Sequence, residues 1–357
     1  MATSSPHSTA SSDEETPDEV FSRLFSVEVA WRDRQLFLES RGYMLRPRLR
    51  PDWVPSWRTM NGSIIDAEDI LLFRSASIWW TRLALTMASL CTSNASRLAI
   101  KSQPSFSSQT RRMRELILET TPCLYILEHF QDDVDPTISY VGMPFLRPLH
   151  RPPHDRVNDC VDLATHYLEG LVFQHEMGVT HRYVLRSLHL CLLSLADRYP
   201  GDCSLKNLLV DASALFPDGH HPIKLEFTPD YRKVVRPLPR SKDDVRDYYV
   251  DFGISSHIPS GSPSVLVTGI SGRNQNVSGL SETVPYDPFK VDIFSMGQVF
   301  EEVFTKTYSS VEFLNPLIVQ LMTALDPAAR PTAVQALAKW NAMSPPETQE
   351  NVITVLP

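Results

Sequence analysis

The sequence has no excess of basic charge: 34 lysines and arginines stand against 42 aspartates and glutamates, a formal net charge of -8. That balance supplies no basic stripe for a phosphate backbone, so nucleic acid is not expected as a partner. Cysteine pairs are lacking too. Cys91, Cys123, Cys160, Cys191 and Cys203 are odd in number and never form C-x-x-C, which gives no support to a disulfide framework or a cysteine zinc site and points to reduced thiols in a cytoplasmic or nuclear protein. Long apolar runs are missing. The two most apolar stretches, 83–91 and 188–195, are too short to cross a bilayer and have Arg or Asp close by, so no membrane span is expected. The opening MATSSPHSTASSDEETPDE has no basic start followed by an apolar run and reads as a disordered tail, not a secretory signal. No internal repeat or heptad array is present.

What is there suits a packed interior. Of 357 residues, 42% are hydrophobic, enough for one large or two modest domains. From Val20 to about Arg50 aromatic and aliphatic residues return with a basic complement expected at the surface. The segment LRPRLRPDWVPSW, 45–57, holds three prolines and two tryptophans; it cannot be a regular helix and is expected to wrap as an extended strap anchored by the tryptophans. A strand is expected at Leu98 to Lys101, a helix at 110–119, and a strand running into a Pro-broken connector at 137–148. Further on, Val161, Ala164, Leu168, Leu171, Val172 and His175 recur at helical spacing behind an Asn158 or Asp159 cap, with Gly178 as the stop. Leu314, Leu317, Ile318, Leu321, Met322 and Leu325 repeat that pattern until Asp326-Pro327, and another helix is expected from Pro331. The interval 211–242 reads as a long loop or a loosely ordered excursion; its His220 and His221 lack a third ligand at a zinc spacing and are expected to be solvated. The architecture is therefore α+β, a smaller strand-bearing N-terminal half and a larger helical C-terminal half.

Three short runs carry chemistry: GVTHR at 178–182, DCSLKN at 202–207 and YYVDFG at 248–253. Together they resemble the catalytic core of protein kinases, in which H-R-D-x-x-x-x-N is followed by D-F-G. LAIK at 98–101 is similar to the family's V-A-I-K strand, FKVDIFSMGQVF at 289–300 to its central helix, LDPAARPTAVQAL at 325–337 to its closing segment, and GMPFL at 142–146 to its hinge. RGYMLRPRLRPDWVPSW and YDPFKVD look more narrowly like a fungal group of kinase-like proteins. The resemblance spans about residues 90 to 340 and implies a bilobal protein-kinase-like fold, with a tail at 1–20, an N-lobe with its extension at 21–146, a C-lobe at 147–341 and a C-terminal tail at 342–357. It implies ATP and Mg²⁺ as cofactors and phosphoryl transfer to Ser or Thr hydroxyls of a protein substrate or partner. Asp202 would accept the hydroxyl proton, Asn207 and Asp251 would hold Mg²⁺, and Lys101 would contact the ATP phosphates. Glu115, or Glu119 one turn on, would pair with Lys101, and the hinge residues Met143 and Phe145 would border the nucleotide. Asp292 would anchor the catalytic loop from below, and Arg330 would take the arginine place of the closing segment.

Four departures bear on activity. Residues 183–201, nineteen in all, separate His181-Arg182 from Asp202; removing them restores GVTHRDCSLKN. A misplaced exon boundary or retained intron explains this most simply, and a genuine insertion bulged from the surface is the second reading. No G-x-G-x-x-G run precedes Lys101, and 73–94 is oddly apolar there. Ser204 stands where serine/threonine kinases commonly carry a lysine, while Lys206 sits where tyrosine kinases often have arginine. VSGLSE, 277–282, replaces the expected A-P-E, so Gly279 takes the place of the glutamate that would pair with Arg330, with Glu282 as a substitute if the register slips. These departures raise a pseudokinase, a binding or scaffold module of the same fold, as the alternative. A small-molecule phosphotransferase of related fold commonly reads H-G-D, against His181-Arg182 here.

Overall fold

A computed structural model describes residues 15–59, 63–70, 98–102, 128–136, 138–149, 151–152, 154–182, 208–240, 245–249, 255–270, 277–343 and 355. The strand expected at LAIK forms. β1 (Leu98–Ser102) and β2 (Glu128–Gln131) flank β3 (Ser139–Met143), all antiparallel, in the order β1-β3-β2. The helix expected at 110–119 lies outside the described residues.

Three short helices, α1 (Pro17–Ser22), α2 (Ser26–Arg32) and α3 (Gln35–Ser40), precede this sheet. The first begins inside the acidic tail, because Thr16 and Glu19 cap each other's backbone N–H groups. Aromatic rings join the helices to the sheet: Trp31 meets Tyr140 at 6.1 Å, Phe37 meets Phe130 at 5.8 Å, and Phe130 stacks on Tyr140 at 5.3 Å. Asp132 closes the β2–β3 turn. Its burial opposes charge, but the N–H groups of Asp135 and Val134, the Tyr140 hydroxyl and Arg34 prevail and hold the carboxyl at about 2.

The strap departs from its expected form in two ways. It is broken by 3-10 turns at Pro47–Leu49 and Ser56–Arg58, and its deepest anchors are arginines as well as Trp57. Arg46 and Arg48 are fully buried, so the basic complement of this region is not all surface. Arg48 pairs with Glu28 at 2.7 Å, donates to the carbonyls of Phe21, Arg23 and Asp69, and lies over the Trp53 ring. A guanidinium has five donors in one plane, and buried carbonyls and a carboxylate can satisfy them where no lysine could.

The C-terminal half is built on α4 (Val157–Glu176). Its cap is Arg156, not Asn158 or Asp159; Asp159 instead sits in the first turn and accepts from the N–H groups of Asp155 and Arg156. Gly178 follows the helix end at φ +71, where a Cβ would overlap the Ile258 carbonyl. The chain enters α4 from β4 (Arg147–Pro148) and leaves it into β5 (Val179–Thr180). β4 pairs with β6 (Leu208–Asp211), which pairs with β7 (Arg246–Tyr249), and β5 pairs with β8 (Ser256–His257). α5 (Pro288–Phe300) and α6 (Ala333–Asn341) complete the core, where Leu163, Leu168 and Leu171 meet Ile293, Met296, Phe300 and Trp340.

The regular helix expected from Leu314 to Leu325 is instead a 3-10 stretch, Ser309–Leu314, followed by a π-turn stretch, Pro316–Met322; Leu325 is exposed. The last helix starts at Ala333 behind a Thr332 cap, later than Pro331. The interval from 211 is the long irregular excursion expected, mostly exposed or half-buried, but not all of it is solvated. His221 is buried: its Nδ1 accepts the N–H groups of Ile223 and Lys224, leaving Nε2 to donate to Glu68 at 3.0 Å. His220 is pushed down to about 4 by burial and by Arg147. This excursion and the strap border a cavity of about 620 Å³ lined by Trp53, Glu68, His221 and Lys233 among others, none of them in the catalytic-core motifs. No helix among the described residues is long and apolar enough to cross a membrane.

Candidate functional site

The site is organised around one buried carboxylate. Asp292 lies in the second turn of α5, whose start is set by Asp287 accepting from the Phe289 N–H behind Pro288. Its side chain is fully shielded from solvent. One oxygen accepts the backbone N–H of Arg182 at 2.7 Å, and the other accepts the N–H of His181 at 2.7 Å. His175 Nε2, near the end of α4, lies 3.2 Å from that second oxygen. The burial cost of a carboxylate is thus offset by short bonds to both oxygens.

Two successive peptide N–H groups can converge on one anion only if the backbone bends into a concave nest, which requires a residue in the left-handed region. Arg182 supplies it, at φ +60. For a non-glycine residue that conformation costs about 1–2 kcal/mol, so it persists here because Asp292 holds it. The bend also aims the Arg182 side chain. Its guanidinium donates to Ser256 Oγ at 3.0 Å, to the Tyr286 hydroxyl at 2.9 Å and to the carbonyl of Gly269 at 3.3 Å. One arginine thereby ties the end of β5 to β8 and to the segment that leads into α5.

Above this node stands the β6–β7 hairpin. Leu208 pairs with Tyr249, and these are the described residues next to Asn207 and Val250-Asp251. Tyr167 and Tyr249 lock the hairpin onto α4: the Tyr167 hydroxyl donates to the Leu209 carbonyl at 3.0 Å, and the Tyr249 hydroxyl donates to the Tyr167 carbonyl. His181 packs on the Tyr249 ring at 5.7 Å. His166 on α4 adds a pairing to Asp247 of β7 at 2.7 Å.

The expected site residues divide accordingly. Lys101 takes its place in β1 opposite Tyr140 of β3, and Met143 ends β3 opposite Leu98. Phe145, between β3 and β4, meets the His220 ring edge-on at 5.0 Å. Asp202, Asn207, Asp251, Glu115, Glu119, Ser204 and Lys206 lie outside the described residues, as does the stretch 183–201. The expected anchor, Asp292, does hold His181 and Arg182. Arg330 is buried, but its bonds run to the carbonyls of Ala324, Leu325, Lys290 and Ser278, and it lies over the Phe294 ring at 4.4 Å. Glu282 is exposed and does not take the glutamate's place. Burial, partly opposed by Asp326, lowers the Arg330 guanidinium to about 10.

Sequence reasoning placed His175 only on a buried helical face and did not assign Ser256 or Tyr286 any role. The signal for His175 was available, since a histidine one turn before a helix stop is an odd choice for a purely apolar stripe. Among the described residues no group of three His, Cys, Asp or Glu side chains is placed to hold a metal ion. The sequence matches no protein-family model and no curated protein.

Proposed function

We propose that this chain is a protein-kinase-like domain of bilobal fold that binds ATP with Mg²⁺ and transfers phosphate to Ser or Thr hydroxyls of a protein. The observation that carries the reading is the Asp292 node: a buried carboxylate on a C-terminal helix grips the two peptides of a His-Arg pair, forcing the arginine left-handed. Such a nest fixes the backbone on entry to the loop, as a catalytic loop requires when its reacting carboxylate must be held to a fraction of an ångström. The order of elements supports the same reading: a lysine-bearing strand in a three-stranded sheet, then a long helix, the His-Arg bend, and a hairpin leading to D-F-G.

The donor chemistry fits the cofactor. Asp251 and Asn207 offer hard oxygen ligands of the kind Mg²⁺ takes, and the paired hairpin ends at Tyr249 and Leu208 lead to both. Bound MgATP supplies the phosphoryl group and the cation that neutralises its charge. Lys101 would hold the phosphates, Asp202 would take the hydroxyl proton on its carboxylate, and Met143 and Phe145 would border the base.

Specific observations favour a second reading, a pseudokinase that binds or scaffolds with little turnover. Nineteen residues intervene between Arg182 and Asp202, no glycine-rich run precedes Lys101, and Arg330 is satisfied by carbonyls where the family's glutamate is missing. A thermal-shift titration with and without Mg²⁺ tests nucleotide binding. Ligand at about 100 times its dissociation constant stabilises by roughly 2.7 kcal/mol. Asp251→Asn should abolish the Mg²⁺-dependent shift, while Asp202→Asn should keep the shift and remove transfer. A shift without transfer selects the pseudokinase, and no shift at millimolar MgATP contradicts nucleotide binding in either form.

A further inference from the structure

At the C-terminal end of the fold, α5, the Pro316–Met322 stretch and α6 surround a groove of about 650 Å³, whose lining shares Arg330 and Lys290 with the closing-segment contacts above but none of the residues bonded to Asp292. Its lining includes three cationic residues, Lys290, Arg330 and Lys339, and no acidic one. That is conspicuous in a chain with 42 acidic against 34 basic residues. Arg330 turns its guanidinium inward to backbone carbonyls, so the groove's own donors are the two lysines and Gln335. Lys290 spends one bond on the Arg330 carbonyl at 2.5 Å, which fixes its ammonium at the groove wall. Among the described residues neither Lys290 nor Lys339 has a carboxylate partner. Gln335 gives its oxygen to the Thr332 N–H at 3.0 Å, leaving its amide hydrogens for a ligand. Asp326, the acid that acts on Arg330, is engaged with the Ala328 N–H.

Between these donors the lining is small and apolar: Leu321, Ala328, Ala329, Pro331 and Ala338. With the side-chain acceptors of Thr332 and Gln335 already engaged at the start of α6, donors around an apolar floor select an anion carried on an apolar framework, and the volume lies in the range of ligand pockets. A bare phosphate would leave that floor uncovered. We propose that this groove docks an acidic segment of a protein partner, with carboxylates on Lys290, Lys339 and Gln335 and an apolar side chain against the alanines and Pro331.

The proposal does not depend on nucleotide chemistry, and its test needs none. A fluorescein-labelled peptide of alternating glutamate and leucine would be titrated by anisotropy against the full chain, with a lysine–leucine peptide as control. Lys339 is exposed at the end of α6, so Lys339→Glu is expected to fold, which the thermal midpoint checks. Lys233→Glu makes the same charge change on an exposed residue beside the strap. The expected result is saturable binding of the acidic peptide only, weakened by salt, reduced about tenfold or more by Lys339→Glu and little changed by Lys233→Glu. Absence of saturable binding, or equal weakening by both variants, would overturn the proposal, the latter because it reports net charge and not a groove.

Discussion

Asp292 shows how much one side chain can be asked to do. An asparagine of the same shape would keep one acceptor oxygen but turn an N–H₂ group towards a backbone donor, leaving a buried N–H without its partner. Asp292→Asn should therefore cost about 3 kcal/mol or more, read as a lowered denaturant midpoint. It should also release the Arg182 bend, visible as faster hydrogen exchange at the His181 and Arg182 amides. A second residue-scale prediction concerns pH. The hydrogen bond to Asp247 raises His166 above its ordinary 6.5, against burial, which lowers it. A raised native value means the protonated form is favoured by folding, so this stabilisation is complete below pH 6.5 and disappears as the pH climbs through the native value. Burial raises the Asp247 carboxyl as well, which acts in the same direction in the acid range. Stability measured by urea midpoint should fall with rising pH in the window above 6.5, and His166→Gln should flatten that fall. A slope unchanged in His166→Gln would assign it to another group.

Elements differ in how openly the sequence announces them. α4 was legible because twenty residues of one period bury one face, and a period that long has no competing interpretation. Its cap was not, because Asp159 serves the helix start from the first turn instead of from the boundary. The stretch after Ser309 failed for a different reason: its apolar spacing is satisfied equally by 3-10 and π turns, and the pattern cannot tell which backbone bonds close it. The buried Arg46 and Arg48 were hidden by the ordinary rule that arginine faces water; only the pairing with Glu28 and Glu68, some twenty residues away in sequence, reverses it. Arg48→Met would leave Glu28 buried and unpaired and should cost about 3–5 kcal/mol in unfolding experiments. The β5–β8 pairing depends on Gly178 in the same local way. Gly178→Ala combines a left-handed alanine with a clash against the Ile258 carbonyl, and a loss above about 2 kcal/mol is expected.

At the scale of the whole molecule, the Asp292 node holds the chain up to Arg182 and the β6–β7 pair takes it up again at Leu208. Deleting 183–201 rejoins GVTHR to DCSLKN without removing any residue of the node or the hairpin. The shortened protein should fold with a thermal midpoint no lower than that of the full chain, and any phosphoryl transfer should rise. A deletion that unfolds the protein would make the stretch part of the core and refute its reading as foreign to the fold. Under the proposed kinase-like function Lys101 faces the phosphates of a bound nucleotide, and lysine labelling by an acyl-phosphate derivative of ATP is the direct test. The bound reagent passes its acyl group to the nearest lysine amine and leaves as ATP. Peptide mass spectrometry should find Lys101 as the principal modified lysine, protected by excess MgATP and unlabelled in Asp251→Asn. Labelling spread over the surface lysines, with Lys101 unmodified or unprotected, would contradict nucleotide binding against Lys101.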